Sequence, residues 1–150
     1  MKNLVYICLA IVMFSCNSAK NNENITLNLI SKGNLHGNGA EGIEEQQTVI
    51  DNQQDWNTLF EKINSNEKSA ATSSIDINFE KQMLLAIFDQ QRTTGGHAIS
   101  IVESVEAKNK ITFKYTITHP DGVATMAMTQ PFYLATISKT DKEIVFEEVK

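Results

Sequence analysis

Histidines at positions 36, 97 and 119 are the side chains of this sequence best suited to moving a proton or holding a metal near neutral pH. None comes with a recognisable partner motif. A hydrolytic triad needs a nucleophile beside a base that a third group orients, and no serine here stands in a G-x-S-x-G frame. The best metal-ligand pairing is His119 with Asp121, which straddles a proline. The histidines therefore read as solvated turn or strand-end residues, and no metal is expected. Adjacent carboxylates at Glu44-Glu45 and Glu147-Glu148 would point to opposite faces of a strand, which makes no acid–base dyad. No catalytic residue and no cofactor is assigned.

A second candidate is Arg92-Thr93-Thr94-Gly95-Gly96-His97-Ala98-Ile99-Ser100-Ile101. Two adjacent glycines permit positive φ and close backbone approach, as a phosphate cradle requires. Such a cradle also needs a helix behind the glycines to supply its amides and dipole. Here Ile99 and Ile101 alternate with smaller residues as a strand, so phosphate binding is excluded. Thr93, Thr94, Gly95, Gly96 and His97 stay as a candidate partner-binding turn, with Thr93 and His97 expected to face outward. Met126 and Met128 would share one face if 124–129 were extended, and core packing is the expected role for that pair.

The elements that must position this turn are mostly strands. Ile25–Ile30 alternates, and Gly33–Gly42, with four glycines, reads as a turn or mobile loop without the GK[ST] of a phosphate loop. Thr48–Ile50 is a short strand leading to Asp51 and Asn52, both good helix N-caps. Trp56, Leu59, Phe60 and Ile63 then fall at helical spacing, predicting one amphipathic helix over about residues 52–64. Met83–Phe88 is continuously apolar, as a central strand buried on both faces would be. Ile99–Val105, Ile111–Ile117, Phe132–Ile137 and Ile144–Val149 supply further strands, and His119-Pro120-Asp121-Gly122 is a turn by its chemistry. The expected fold is α+β: an antiparallel-rich β-sheet of about six to eight strands with one helix packed on it.

The N-terminus speaks about location. Lys2 precedes the uncharged apolar run Leu4–Phe14, which has the length of a secretory signal and falls short of a bilayer span. It ends at Phe14-Ser15-Cys16, which resembles a bacterial lipoprotein signal with Cys16 as the lipid attachment site. Met13 and Phe14 stand where Leu and a small residue are usual. The alternative is an ordinary secretory signal or an uncleaved anchor. The chain's 2 cysteines, Cys8 and Cys16, both lie in this segment, so an exported domain would have no thiol for disulfide, nucleophile or zinc. The expected organisation is a signal peptide over 1–15, lipidated Cys16 and an Asn-rich tether to 24, and a single domain over 25–150. The net charge of −5 and the absence of a basic run argue against nucleic-acid binding.

Three segments together resemble the C-terminal domain of the protease complex subunit PrcB: Ile77-Asn78-Phe79 with Met83–Ala86, Arg92–Ile101, and Thr129-Gln130-Pro131-Phe132-Tyr133-Leu134. A Gly-rich entry at Gly39–Ile43 and the helix at Trp56 extend the resemblance over about residues 39–147. Thr93 stands where Pro is common, His97 where Tyr is common, and Asn78 where Asp is common. The resemblance implies a non-catalytic exported domain. Its expected partner is a secreted or membrane-associated protease, or another envelope protein. The expected place is a Gram-negative cell envelope, lipid-anchored to the outer membrane, with the periplasmic face slightly favoured. Two alternatives stay open. Thr93-Thr94-Gly95 shares Thr-Thr-Gly with the loop of chagasin-type cysteine protease inhibitors, and an enzyme with an unrecognised site is the other.

Overall fold

A computed structural model describes residues 25–36, 39–65 and 75–150. The signal segment, Cys16 and the tether lie outside the described residues, as does the polar stretch 66–74. Strand β3 (Gln82–Phe88) is buried from Met83 to Phe88, and strand β6 (Thr129–Ser138) from Thr129 to Ile137. They pair antiparallel, Gln82 opposite Ser138 through Phe88 opposite Phe132. Strand β1 (Asn28–His36) pairs with β6 and strand β2 (Gln46–Ile50) with β3, both antiparallel, giving the order β1-β6-β3-β2.

A ladder with apolar side chains on both faces must be covered on both. On one face Leu84, Ala86, Phe88, Phe132 and Leu134 share a buried cluster with Trp56, Leu59 and Ile63 of helix α1 (Gln53–Ile63). Asn52 caps that helix, its Oδ1 accepting the Asp55 N–H at 2.9 Å. On the other face Met83, Leu85 and Ile137 meet Ile111 and Phe113, while Ile87, Tyr133 and Ala135 meet Ile99 and Tyr115. Those partners come from a second sheet, β4 (Ala98–Glu106), β5 (Lys110–Thr118) and β7 (Glu143–Glu148), in the order β4-β5-β7. The β4–β5 pair is antiparallel and β5–β7 parallel. Among the described residues, seven strands in two sheets with one short helix make an α+β, mostly antiparallel architecture.

Three expectations change. The strands form two sheets, not one, because one short helix can cover only one face of the β3–β6 ladder. The first strand runs on through Gly33 to His36, where a loop was expected. Gly33 lies opposite Phe132, and a Cβ there would make ordinary van der Waals contact with the Phe132 ring at 3.7 Å. Residues 124–128 form no strand; β6 begins only at Thr129.

Leu134 is fully buried between the layers, so Leu134→Ala is expected to lower unfolding free energy by about 2–5 kcal/mol. Val102, exposed on an edge strand, should cost less than about 0.5 kcal/mol as Val102→Ala. Denaturant unfolding of both variants checks the ranking.

Candidate functional site at the Thr93–His97 turn

The connection from β3 to β4 begins where β3 runs out of apolar residues. The Asp89 N–H donates to the Pro131 carbonyl at 3.0 Å, extending the ladder by one bond. The Asp89 side chain is then buried (2 % exposed), and a buried carboxylate needs a charged partner. Arg92 supplies it with both arms: Nε donates to Oδ2 at 2.8 Å and a terminal nitrogen to Oδ1 at 2.9 Å. That bond to Asp89 raises the Arg92 pKa above its ordinary value. The Arg92 backbone bonds Thr129 in both directions, at 2.7 and 2.9 Å. Gln130 Nε2 donates to the carbonyls of Asp89 and Ile43, tying this connection to the Gly-rich entry. Its Oε1 is buried without a protein partner among the described residues.

The turn itself is seated on a loop from the other sheet. Thr129 Oγ1 donates to the Thr94 carbonyl at 2.8 Å, and the Gly95 N–H donates to the Thr125 carbonyl at 3.0 Å. A Cβ on Gly95 would lie 2.5 Å from Thr125 Oγ1. Gly96 has φ +89, and a Cβ there would lie 3.0 Å from Pro120 Cβ. The glycine pair is therefore a seat for residues 119–128, the crossover between β5 and β6. Within that crossover the expected His-Pro-Asp-Gly turn is a bend at Gly122, whose φ is +92.

Of the five candidate residues, Thr93 and Gly96 are exposed, Thr94 is half-buried, and Gly95 and His97 are buried. His97 does not face outward as expected; it is 8 % exposed. It shares the parity of buried Ile99, and that parity was the signal for burial. Both its ring nitrogens are engaged: Nε2 lies 2.9 Å from Thr94 Oγ1, and Nδ1 lies 3.0 Å from Nδ1 of His119. The ring centroids are 5.2 Å apart, longer than the nitrogen separation by about two ring radii. The two nitrogens thus point at each other along a nearly straight line, as in a hydrogen bond, and do not converge on a third point as metal ligands would. Among the described residues no group of three or more His, Cys, Asp or Glu is placed to hold a metal ion. Burial holds the His97 pKa below the usual imidazole value, the charges of Arg92 and His119 push the same way, and Asp89 opposes them. His36 ends β1 with its backbone opposite Thr129.

The methionine expectation is overturned here. Met126 is 97 % exposed, Met128 45 % and Val123 104 %. With no strand over 124–128, these side chains have no sheet face to enter. The loop is held instead by its backbone, through Gly95 to Thr125 and the Ala127 N–H to the Thr125 carbonyl at 3.0 Å. Asp89, Thr125 and Gln130 are site residues that the sequence reading did not single out. Only the Asp89–Arg92 spacing of three left a local trace.

Residues 83–138 match the family model described as PrcB C-terminal, a span from β3 through β6 that holds the turn, the crossover and the Thr129-Gln130-Pro131 entry. Helix α1 and the Gly39–Ile43 entry lie outside the matched span. Comparison with curated proteins and with solved structures returns no match.

Gly95→Ala is expected to destabilise the fold by about 1–3 kcal/mol through overpacking, and Thr125→Ala in the same chain to restore most of that loss. Gly96→Ala should cost about 1–2 kcal/mol from its left-handed φ, with no rescue by Thr125→Ala. A double-mutant cycle in thermal or denaturant unfolding separates the two glycines.

Proposed function

We propose that this protein is a non-catalytic, lipid-anchored envelope domain that binds and stabilises another protein, a secreted or membrane-associated protease first among the candidates. The observation that carries this reading is the crossover loop. Among the described residues, three of the five exposed large apolar side chains, Val123, Met126 and Met128, lie on it. Apolar side chains clustered on one surface segment mark contact sites, and methionine adapts to varied partners. The backbone bonds to Gly95 and the seat for Pro120 at Gly96 keep the loop fixed, which lowers the ordering cost of binding. Exposed Thr93 and half-buried Thr94 lie next to it on the turn and extend the surface. The match of residues 83–138 to the PrcB C-terminal family supports a protease-associated role.

A non-catalytic role is favoured by how the titratable groups are used. Asp89 has both carboxylate oxygens on Arg92, with Oδ1 also accepting the Gln90 N–H. His97 has both nitrogens on neighbours. A general base or nucleophile needs a free position facing substrate. Hollows lie between β2 and α1, around Lys108 and Thr140, and around Ile25 and Glu106. None of them includes these groups. An inhibitor that inserts its Thr93–Gly95 backbone into a protease cleft would need that turn free, and burial of Gly95 against Thr125 weighs against it.

The test is purification of the native lipoprotein from detergent-solubilised membranes, followed by identification of what accompanies it. A protease is expected to be enriched, and the double variant Val123→Asp, Met126→Asp to lose about tenfold or more in affinity for it with its stability unchanged. If no protease is enriched, and none becomes unstable in a strain lacking this protein, the reading is lost. Anchoring has its own check. Cys16→Ser should abolish fatty-acid labelling and move the protein out of the membrane fraction.

A further inference from the structure

The two histidines invite a question that partner binding alone leaves open: why fasten an exposed loop with imidazoles? His119 follows the last residue of β5 and opens the crossover, and Pro120 beside it rests against Gly96. His97 precedes β4 and is fixed from three sides. Thr94 Oγ1 lies at its Nε2, His119 at its Nδ1, and Asn34 Nδ2 donates to its carbonyl at 3.3 Å. The Nδ1-to-Nδ1 contact is the side-chain bond that joins the start of the crossover to the first residue of the second sheet's approach.

A bond between two like nitrogens can hold a limited number of protons. With both rings neutral, one Nδ1 carries hydrogen and the other offers its lone pair. One added proton is also accommodated. The charged ring donates its Nδ1–H to the lone pair on the other ring's Nδ1, a charge-assisted arrangement. A second proton leaves N–H on both facing nitrogens and a positive charge on both rings, and the bond becomes a repulsion. The groups around His97 set when that occurs. Arg92 and His119 oppose the second proton, Asp89 favours it while bound to Arg92, and Glu45 and Glu148 act on Arg92 from farther off.

We infer that the His97–His119 pair is a pH-sensitive latch that fixes the 119–128 crossover near neutral pH and releases it as the pH falls below the imidazole range. The direction follows from linkage. A released His97 takes a proton near its ordinary pKa of about 6.5, while the latched one, buried and beside Arg92, resists it. Above that pH neither form holds the proton, and the latch has its full strength. As pH falls from there toward the lower value of the latched ring, the released form binds more protons and is favoured. Presentation of Val123, Met126 and Met128 would then be strongest near neutral pH. That regulatory consequence rests on the binding role proposed above, whereas the latch itself does not.

Hydrogen exchange read by mass spectrometry on the full-length protein in detergent micelles, from pH 7.5 to 5.0 and corrected for intrinsic rates, tests the latch without any partner. Peptides covering 93–97 and 119–128 are expected to lose protection at least tenfold as the pH falls below about 6.5, while those of β3 and β6 keep theirs. His119→Phe should show the low protection at every pH, and His36→Gln, which leaves both partners in place, should keep the transition. Protection of these peptides that does not change with pH overturns the latch. So does a loss shared equally by β3 and β6, or an unaltered transition in His119→Phe. A latch that titrates as described in a protein that captures no protease would sink the proposed function alone.

Discussion

Strands β3 and β6 lie side by side from Gln82 opposite Ser138 to Phe88 opposite Phe132, and neither offers water a face. Side chains alternate across a sheet, so this one ladder sends Leu84, Ala86 and Phe88 one way and Met83, Leu85 and Ile87 the other. Each set demands its own cover. The helix answers the first with Trp56, Leu59 and Ile63, and the β4-β5-β7 sheet answers the second with Ile99, Ile111, Phe113 and Tyr115. The layered plan is thus a consequence of one doubly apolar pair.

The same ladder fixes where the chain crosses between the sheets. At its end the chain must turn from one sheet to the other, twice within a short distance: once at 89–97 and once, returning, at 119–128. The two crossings touch, and their contact is made of backbone, two glycines and a histidine pair. A buried Asp89 is tolerable there because Arg92 neutralises it in the geometry that best repays desolvation. The crossing segments are rigid through mutual support, and the side chains they do not need for that support are left in solvent.

Much of this plan is legible in the residues themselves. The Trp56 stripe and Asn52 announce a helix, the unbroken run Met83–Phe88 announces a strand buried on both sides, and Ile111–Ile117 announces one half-buried. Those signals are local and depend on periodicity alone. What stays hidden depends on contact between distant segments. The two glycines gain their meaning from Thr125 and Pro120, far along the chain, and Met126 is exposed because no strand forms around it. His97 lies between these cases. Its parity with Ile99 was on display, but its polarity argued the other way, and only His119 and Thr94 make its burial affordable.

The strand order also constrains the sequence of events by which the molecule comes together. Among the described residues, β1 pairs only with β6, and β2 pairs only with β3. β7 lies parallel to β5, so it can be added only after the chain has left the second sheet, built β6 in the first and come back. Pairings so far apart in sequence carry a large loop-closure cost before any burial rewards them, and such topologies fold slowly. Until β6 is made, the backbone edges of β1 and β3 that it pairs with stay open. A chain that emerges N-terminus first would therefore spend most of its emergence with those strands open, and would depend on being kept apart from its neighbours until its last few elements arrive.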